Sequence, residues 1–287
     1  MKIAIIILNY NSSPDCRKCI EFLKYQEGVE LEIIVVDNCS SREGEQEAIR
    51  QLCQQQGCTF IQAKTNKGYN AGNNIGLRYA TEKGYEYAMI ANPDMEFPEK
   101  EYVRTIVEVM TKDKQVVVCG SDILTPEGKH QNPMKRDGNW LSSFSWIKGI
   151  FKTDEDACYL NSCRHQTHYC DKVSGCCLLL RLNYIDKIGY FDEHIFLYCE
   201  EAILSRQVER DGMKMLYVAE TQALHRHIAS EKGNTGARFK AWVASRIYFE
   251  KKYNDEGFFK NAIKTMNWKL YEYVFRLKNT ITTGKWI

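Results

Sequence analysis

No run in this 287-residue sequence approaches the roughly 18 consecutive apolar residues that span a bilayer as a helix. Ile3–Leu8, with a single basic residue ahead of it, is too short for the apolar core of a secretory leader and reads instead as a first buried strand. Nothing repeats at a fixed period and no segment is of low complexity, so solenoid and linker-like readings fall away. Charge of one sign is also missing: 39 Lys and Arg against 37 Asp and Glu leave a formal net charge of +2. With no recognised nucleic-acid-binding module beside it, that balance gives no reason to expect a nucleic-acid partner.

What is present is an ordinary globular composition, 44% hydrophobic and 26% charged, in a chain long enough for one large α/β domain plus an appended segment. The charge is unevenly placed. Gly236–Ile287 carries eleven Lys/Arg against four Asp/Glu, and a basic tail behind a neutral-to-acidic body points to an anionic surface as partner. The twelve cysteines are scattered, several of them inside apolar runs (Cys119, Cys176, Cys177) where a small buried hydrophobe fits, so reduced thiols are expected. Cys158, Cys163, His165, His168 and Cys170 fall within thirteen residues and are of zinc-ligand type, but none of them forms a paired CxxC, which leaves structural zinc the lesser reading.

Along the chain, β-rich apolar runs alternate with helical patterns: strands at Ile3–Leu8, Leu31–Val36, Thr59–Ala63, Tyr87–Ala91 and Val116–Gly120, and helices near Pro14–Tyr25, Glu43–Gln56, Ala71–Lys83 and Glu99–Asp113. That alternation is the βαβ signature of a parallel sheet. Periodicity weakens over Ser121–Asp171, then returns as a strand at Val173–Leu180, a helix at Glu200–Asp211 and a strand at Met213–Val218. An irregular stretch inside a compact domain usually means an active-site or acceptor-binding loop. Beyond Gly236 the pattern is helical, with Trp242, Ile247, Tyr248, Phe258, Phe259, Ile263, Trp268, Tyr271 and Phe275 interleaved with lysines.

In open α/β sheets ligands bind outside the carboxyl ends of the parallel strands, which singles out Asn9-Tyr10-Asn11, Asp37-Asn38, Asn66-Lys67-Gly68 and Asn92-Pro93-Asp94-Met95-Glu96. Asp37 can accept from a base or ribose, or can serve as a turn or N-cap. The glycines at 68, 72 and 76 can bring backbone to a phosphate at a helix start, or can let a helix pack closely. Asp94 and Glu96 can hold a hard divalent cation on a diphosphate, or form a solvated turn. Glu200-Glu201, beside the aromatic segment Phe191–Tyr198, can be a desolvated general base, or simply helix N-terminal acids. His225 and His227 are metal or diphosphate partners, or ordinary histidines.

Together and in this order, Ile5–Asn11, Val35–Ser40, Asn66–Gly76, Ala91–Asp94, Gly175, Gly189–Glu193, Phe196–Tyr198 with Glu200-Glu201, and His225 resemble family 2 glycosyltransferases, closest to their rhamnosyltransferase-like branch. The resemblance implies the GT-A fold, an α/β fold with a mostly parallel central sheet flanked by helices: a domain over 1–235, divided into a nucleotide-sugar half (1–120) and an acceptor half (121–235), followed by a helical extension (236–287). It also implies Asn9, Tyr10, Asn11, Asp37, Asn66, Lys67, Gly68 and Asn92 on a UDP- or dTDP-sugar, and Asp94, with His225 and Glu96, on Mn2+ or Mg2+. Glu201, with Glu200 beside it, falls at the base of an inverting transfer. The acceptor is expected to be a glycan or lipid-linked glycan of cell-surface polysaccharide synthesis, rhamnose is the first guess for the sugar, and the place is the cytoplasmic face of the membrane, touched by the extension.

Two departures stand out: Asn92-Pro93-Asp94 lacks the first carboxylate of a DxD pair, and Glu201 is longer by one methylene than the usual Asp. They motivate the alternative of a catalytically inactive, carbohydrate-binding subunit of the same fold. A nucleotidyltransferase is disfavoured, because Asn9–Ser13 is not a glycine-rich basic loop.

Overall fold

A computed structural model describes residues 1–137, 144, 146, 164–226, 235–254 and 256–283. The apolar run at the start becomes β1 (Lys2–Asn9), buried from Ile3 onward, as a strand must be when helices cover both sheet faces. The chain then alternates through α1 (Ser13–Lys24), β2 (Glu30–Asp37), α2 (Glu45–Gln56), β3 (Thr59–Gln62), α3 (Tyr69–Glu82) and β4 (Tyr87–Ala91). It continues through β5 (Met95–Glu96), α4 (Tyr102–Thr111), β6 (Val116–Leu124), β7 (His168–Cys170), β8 (Cys177–Arg181), α5 (Leu182–Lys187), α6 (Glu200–Arg210) and β9 (Lys214–His225), and ends in α7 (Thr235–Lys252) and α8 (Phe258–Thr283).

The strands form one sheet in the order β3-β2-β1-β4-β8-β6-β9-β5, with β7 beside β9. The β3-β2-β1-β4 half is parallel throughout. The other half is mixed, since β8 runs antiparallel to both β4 and β6 while β6 and β9 are parallel. Side chains alternate as the two-residue strand period requires: Ile3, Ile5 and Ile7 join α1, α2 and α4 in one core layer, and Ala4, Ile6 and Leu8 join α3, α5 and α6 in the other.

The glycines of α3 resolve the earlier ambiguity. A Cβ on Gly72 would sit 2.5 Å from Leu8 and one on Gly76 2.6 Å from Ile6, so both exist to seat the helix on β1. Gly68, the residue before that helix, has φ +102, and a Cβ there would run into the Phe196 carbonyl.

The expected strand Val173–Leu180 begins only at Cys177. The preceding residues pair elsewhere: Met134 N–H donates to Lys172 O at 2.9 Å and Ser174 N–H to Asn132 Oδ1 at 2.7 Å. The last strand runs past Val218 to His225, after a register shift opposite Ser121 and Asp122. All ten described cysteines are free thiols. Of the proposed zinc cluster, Cys158 and Cys163 lie outside the described residues, as does His227.

The extension is two helices joined by aromatic stacking, with Phe239 on Phe275 at 3.8 Å and Trp242 edge-on to Trp268 at 5.2 Å. Among the described residues no helix is long and apolar enough to cross a membrane.

Candidate active site

The carboxyl ends of β1, β2, β3 and β4 meet at one edge of the parallel half. Asn9 and Asp37, each 0% exposed, are register partners across β1 and β2. Asp37 accepts four hydrogen bonds: from Asn9 Nδ2 (2.8 Å) and Ser40 Oγ (2.6 Å) on Oδ1, and from Ser40 N (3.1 Å) and Gln62 Nε2 (2.7 Å) on Oδ2. That fills a carboxylate's acceptor capacity. Because Gln62 must turn its amide nitrogen to Asp37, its Oε1 faces away, and that oxygen is buried without a hydrogen-bond partner. Asn11, in the left-handed region at φ 57, caps the neighbouring loop by accepting from Ser41 N (3.0 Å) and Arg42 N (2.9 Å). Tyr10 is left 45% exposed over the same edge.

At the start of α3, Asn66 Oδ1 accepts from Gly68 N at 2.9 Å and from Asn38 Nδ2 at 3.1 Å, while Tyr69 N donates to Phe196 O at 2.8 Å. These two N–H groups therefore already have partners, and Lys67 beside them is exposed. The Tyr69 hydroxyl lies 2.8 Å from Asn92 Oδ1 and 2.9 Å from the Gly175 carbonyl. It ties the start of α3 to the strand end that bears Asp94.

Asp94 is 6% exposed and its Oδ1 is 3.3 Å from His225 Nε2. The ring is oriented by a 3.0 Å contact between its Nδ1 and Gln131 Oε1. Burial works against the imidazolium, but the Asp94 carboxylate, with Cys176 behind it, outweighs burial and raises the His225 pKa to about 9. At neutral pH the two therefore form an imidazolium–carboxylate pair, and a divalent cation binding between them would have to displace the His225 proton. Glu96 is paired with Arg226 at 2.7 Å. Among the described residues no group of three or more His, Cys, Asp or Glu side chains is gathered for a metal.

Glu200 and Glu201 begin α6 behind Tyr198 (φ 70) and Cys199 (φ 67), two consecutive non-glycine residues in the left-handed region. Glu200 lies against Gly175, its Oε1 3.0 Å from where a Cβ would stand, and its Oε2 is buried without a hydrogen-bond partner. Burial and then the Glu201 charge push the Glu200 carboxyl well above the usual carboxylate range. Burial also raises Glu201, but Lys172 and Arg246 oppose it. Of the two, Glu200 is the better seat for the pair's proton, which leaves the charge on Glu201.

The sequence reading missed Gln62, Gln131, Lys172 and Asp137, whereas Asn38 and Tyr69 lie inside segments it singled out. Gln62 is the register partner of Asp37, so strand pairing would have flagged it. The others have no local signal.

A sequence model described as Glycosyl transferase family 2 matches residues 4–171, more than half of the chain. A low-salt glycan biosynthesis hexosyltransferase, Agl10, of Haloferax volcanii is 27% identical over 225 residues, 78% of this chain and 66% of the relative. An N-acetylglucosaminyl-diphospho-decaprenol L-rhamnosyltransferase of Mycobacterium tuberculosis is 21% identical over 81% of this chain and 78% of its own. Among solved structures, GalNAc-T7 with UDP, GalNAc and Mn2+ superposes with a TM-score of 0.66 at 13% identity, over 95% of this chain and 50% of that one. The chain thus spans about two thirds of the haloarchaeal relative and half of the GalNAc-T7 chain.

Proposed function

Because the chain belongs to Glycosyl transferase family 2, we propose that it is an inverting glycosyltransferase moving a hexose or deoxyhexose, rhamnose first, from a UDP- or dTDP-sugar to a lipid-linked glycan. The observation that carries this is the placing of the Asp94–His225 pair and the Glu200–Glu201 pair on either side of the Tyr69–Asn92–Gly175 junction. One pair suits a diphosphate leaving group and the other a proton acceptor.

Gln62 Oε1, buried and without a hydrogen-bond partner, would meet the N3–H that uracil and thymine share once this edge opens, and exposed Tyr10 at the same edge offers a stacking face. Lys67 meets the diphosphate. Asp94 and His225 would hold Mn2+ or Mg2+, which when bound neutralises charge growing on the leaving diphosphate. Glu201, whose charged form Lys172 and Arg246 favour against burial, takes the acceptor hydroxyl's proton as that oxygen attacks the anomeric carbon from the face opposite the diphosphate. A single displacement of this kind inverts the anomeric configuration. The acceptor class is argued by analogy with the mycobacterial relative, whose name specifies a diphospho-decaprenol acceptor. The test is nucleoside diphosphate release from a panel of UDP-, dTDP- and GDP-sugars with Mn2+ or with EDTA. Release from a pyrimidine donor only, and only with metal, is expected; no release from any donor would favour the inactive binding subunit.

We also place this activity at the inner membrane surface, through α8. Phe258 and Phe259 are each 81% exposed, and Ile263, Met266, Leu270, Tyr273, Val274 and Leu277 continue one exposed apolar stripe, at the alternating three- and four-residue steps of a single helix face. The exposed charges of the helix are Lys260, Lys269 and Lys278, while Glu272 is half-buried and paired with Arg276. Apolar side chains flanked only by lysine suit an anionic bilayer lying flat against the helix. Two such helices would repel each other as a dimer. Wild type is expected to co-sediment with phosphatidylglycerol vesicles more strongly than with phosphatidylcholine ones, and Phe258→Ser with Phe259→Ser to weaken that about tenfold or more, given ~1.5–3 kcal/mol per buried phenylalanine. Equal binding to both lipids, or a dimer dispersed by the double variant, would reject the assignment.

A further inference from the structure

Helix α7 lies beyond the part of the chain that the family model matches, yet it reaches the turn that carries the two glutamates at several points. Ser245 Oγ donates to Leu197 O at 2.7 Å, and Ser245 is 2% exposed. Phe249 and Tyr253 are buried in a cluster with Ile195, Cys199, Ala202 and Ile203. The carboxylate of Asp192 accepts from Tyr248 Oη (2.8 Å), Tyr253 Oη (2.6 Å) and Lys252 Nζ (3.1 Å). Arg246 Nη1 meets Asp137 Oδ1 at 2.6 Å, and the other oxygen of that carboxylate takes Lys172 Nζ at 2.7 Å. These ion-paired groups are largely out of water.

Tyr198 and Cys199 have no glycine's freedom, so their left-handed backbone persists only where the surroundings hold it. The buried apolar cluster around Cys199 consists of Ile195, of Ala202 and Ile203 of α6, of Phe249 of α7 and of Tyr253 just after that helix. We propose that Ser245 and Arg246 are positioning residues for the Glu200–Glu201 pair, so that α7 is a working part of the catalytic unit. Ser245 fixes the backbone just ahead of the turn. Arg246, through Asp137, fixes Lys172 and supplies the second of the two cations that face Glu201. The groups facing Glu201 are Lys172 ahead of β8, Asp137, Arg246 on α7, and Glu200 and Cys199 of its own turn. Removing one of the two cations leaves the carboxylate harder to ionise. The base works ionised, so the acid limb of the rate profile must then move to higher pH.

This inference rests on the glutamate pair serving as proposed, and the experiment separates the two. kcat, donor KM and the pH profile of sugar transfer are measured for full-length Arg246→Met, Arg246→Lys, Ser245→Ala and Arg136→Met, with melting temperatures. Arg136 pairs with Glu209 on the exposed side of α6, both side chains being 48% exposed, and serves as control. Arg246→Met is expected to lower kcat at neutral pH about tenfold or more, to move the acid limb upward and to leave donor KM within twofold. Arg246→Lys should restore most of the rate and Ser245→Ala should lower kcat severalfold. If Arg246→Met does not fold, Ser245→Ala decides, and wild-type kcat in that variant overturns the proposal. A folded Arg246→Met with wild-type kcat and pH profile likewise reduces α7 to scaffold. Full activity in Glu200→Gln and Glu201→Gln would instead remove the reading of the pair itself.

Discussion

Glu201→Gln is expected to lower kcat for sugar transfer by about 10³-fold, within the 10²–10⁴ that a positioned base supplies, while nucleoside diphosphate affinity stays unchanged. The amide keeps the shape and can still accept a hydrogen bond, but it cannot take a proton. Glu200→Gln is the informative contrast. It removes the group that holds the pair's proton and leaves Glu201 its charge, so a smaller loss is expected, and the second ionisation of the pair disappears from the alkaline side of the profile. The sign for stability follows from burial, which raises the Glu200 carboxyl above its unfolded value. Its contribution is fully present below the ordinary glutamate pKa and is lost as pH rises through the raised folded value. Above neutrality Glu200→Gln should therefore melt higher than wild type. Kinetics, calorimetric diphosphate titration and melting curves across pH read all three effects. A Glu200→Gln loss as deep as that of Glu201→Gln, with diphosphate affinity intact, would move the base to Glu200.

Asp94→Ala should cost about as much by a different route, on the order of 10³ in kcat/KM, since it removes the only carboxylate of the two-residue anchor and leaves His225 alone opposite the diphosphate. Rescue by added Mn2+ should be at best partial, and the gap between Mn2+ and EDTA seen in wild type should close. Retained metal dependence in Asp94→Ala would place the cation on other ligands.

Much of this architecture could be read in advance because burial on both sides of a parallel sheet leaves unbroken apolar runs. Ile3–Leu8 and Tyr87–Ala91 have no other sensible fate. The polar residues at the ends of those runs came with them, which is why Asn9, Asp37 and Asp94 were visible. The pairing of Lys172 with Asp137 was not, because it joins residues 35 apart across an irregular stretch. Val173 was misplaced for a related reason. It is as apolar as the strand that follows, and only its neighbours' bonds to Asn132 and Met134 exclude it from the ladder. In the extension, composition gave the right residue types and no faces. Trp242, Trp268, Tyr271 and Phe275 turn inward to stack on one another or on Phe239, whereas Met266, Leu270, Tyr273, Val274 and Leu277, not singled out before, complete the exposed stripe.

The junction of Gly68 with Phe196 divides evolutionary freedom unequally. Its fit is made by a glycine with no room for a side chain and by the carbonyl of residue 196, which any amino acid supplies equally well. The Phe196 ring is 51% exposed above that contact and takes no part in it. Position 68 is thus pinned by the fold, while position 196, at the rim between the nucleotide edge and the glutamate turn, can change its side chain at little structural cost. A lineage adapting to a new acceptor could vary the wall of the site there without disturbing the donor half.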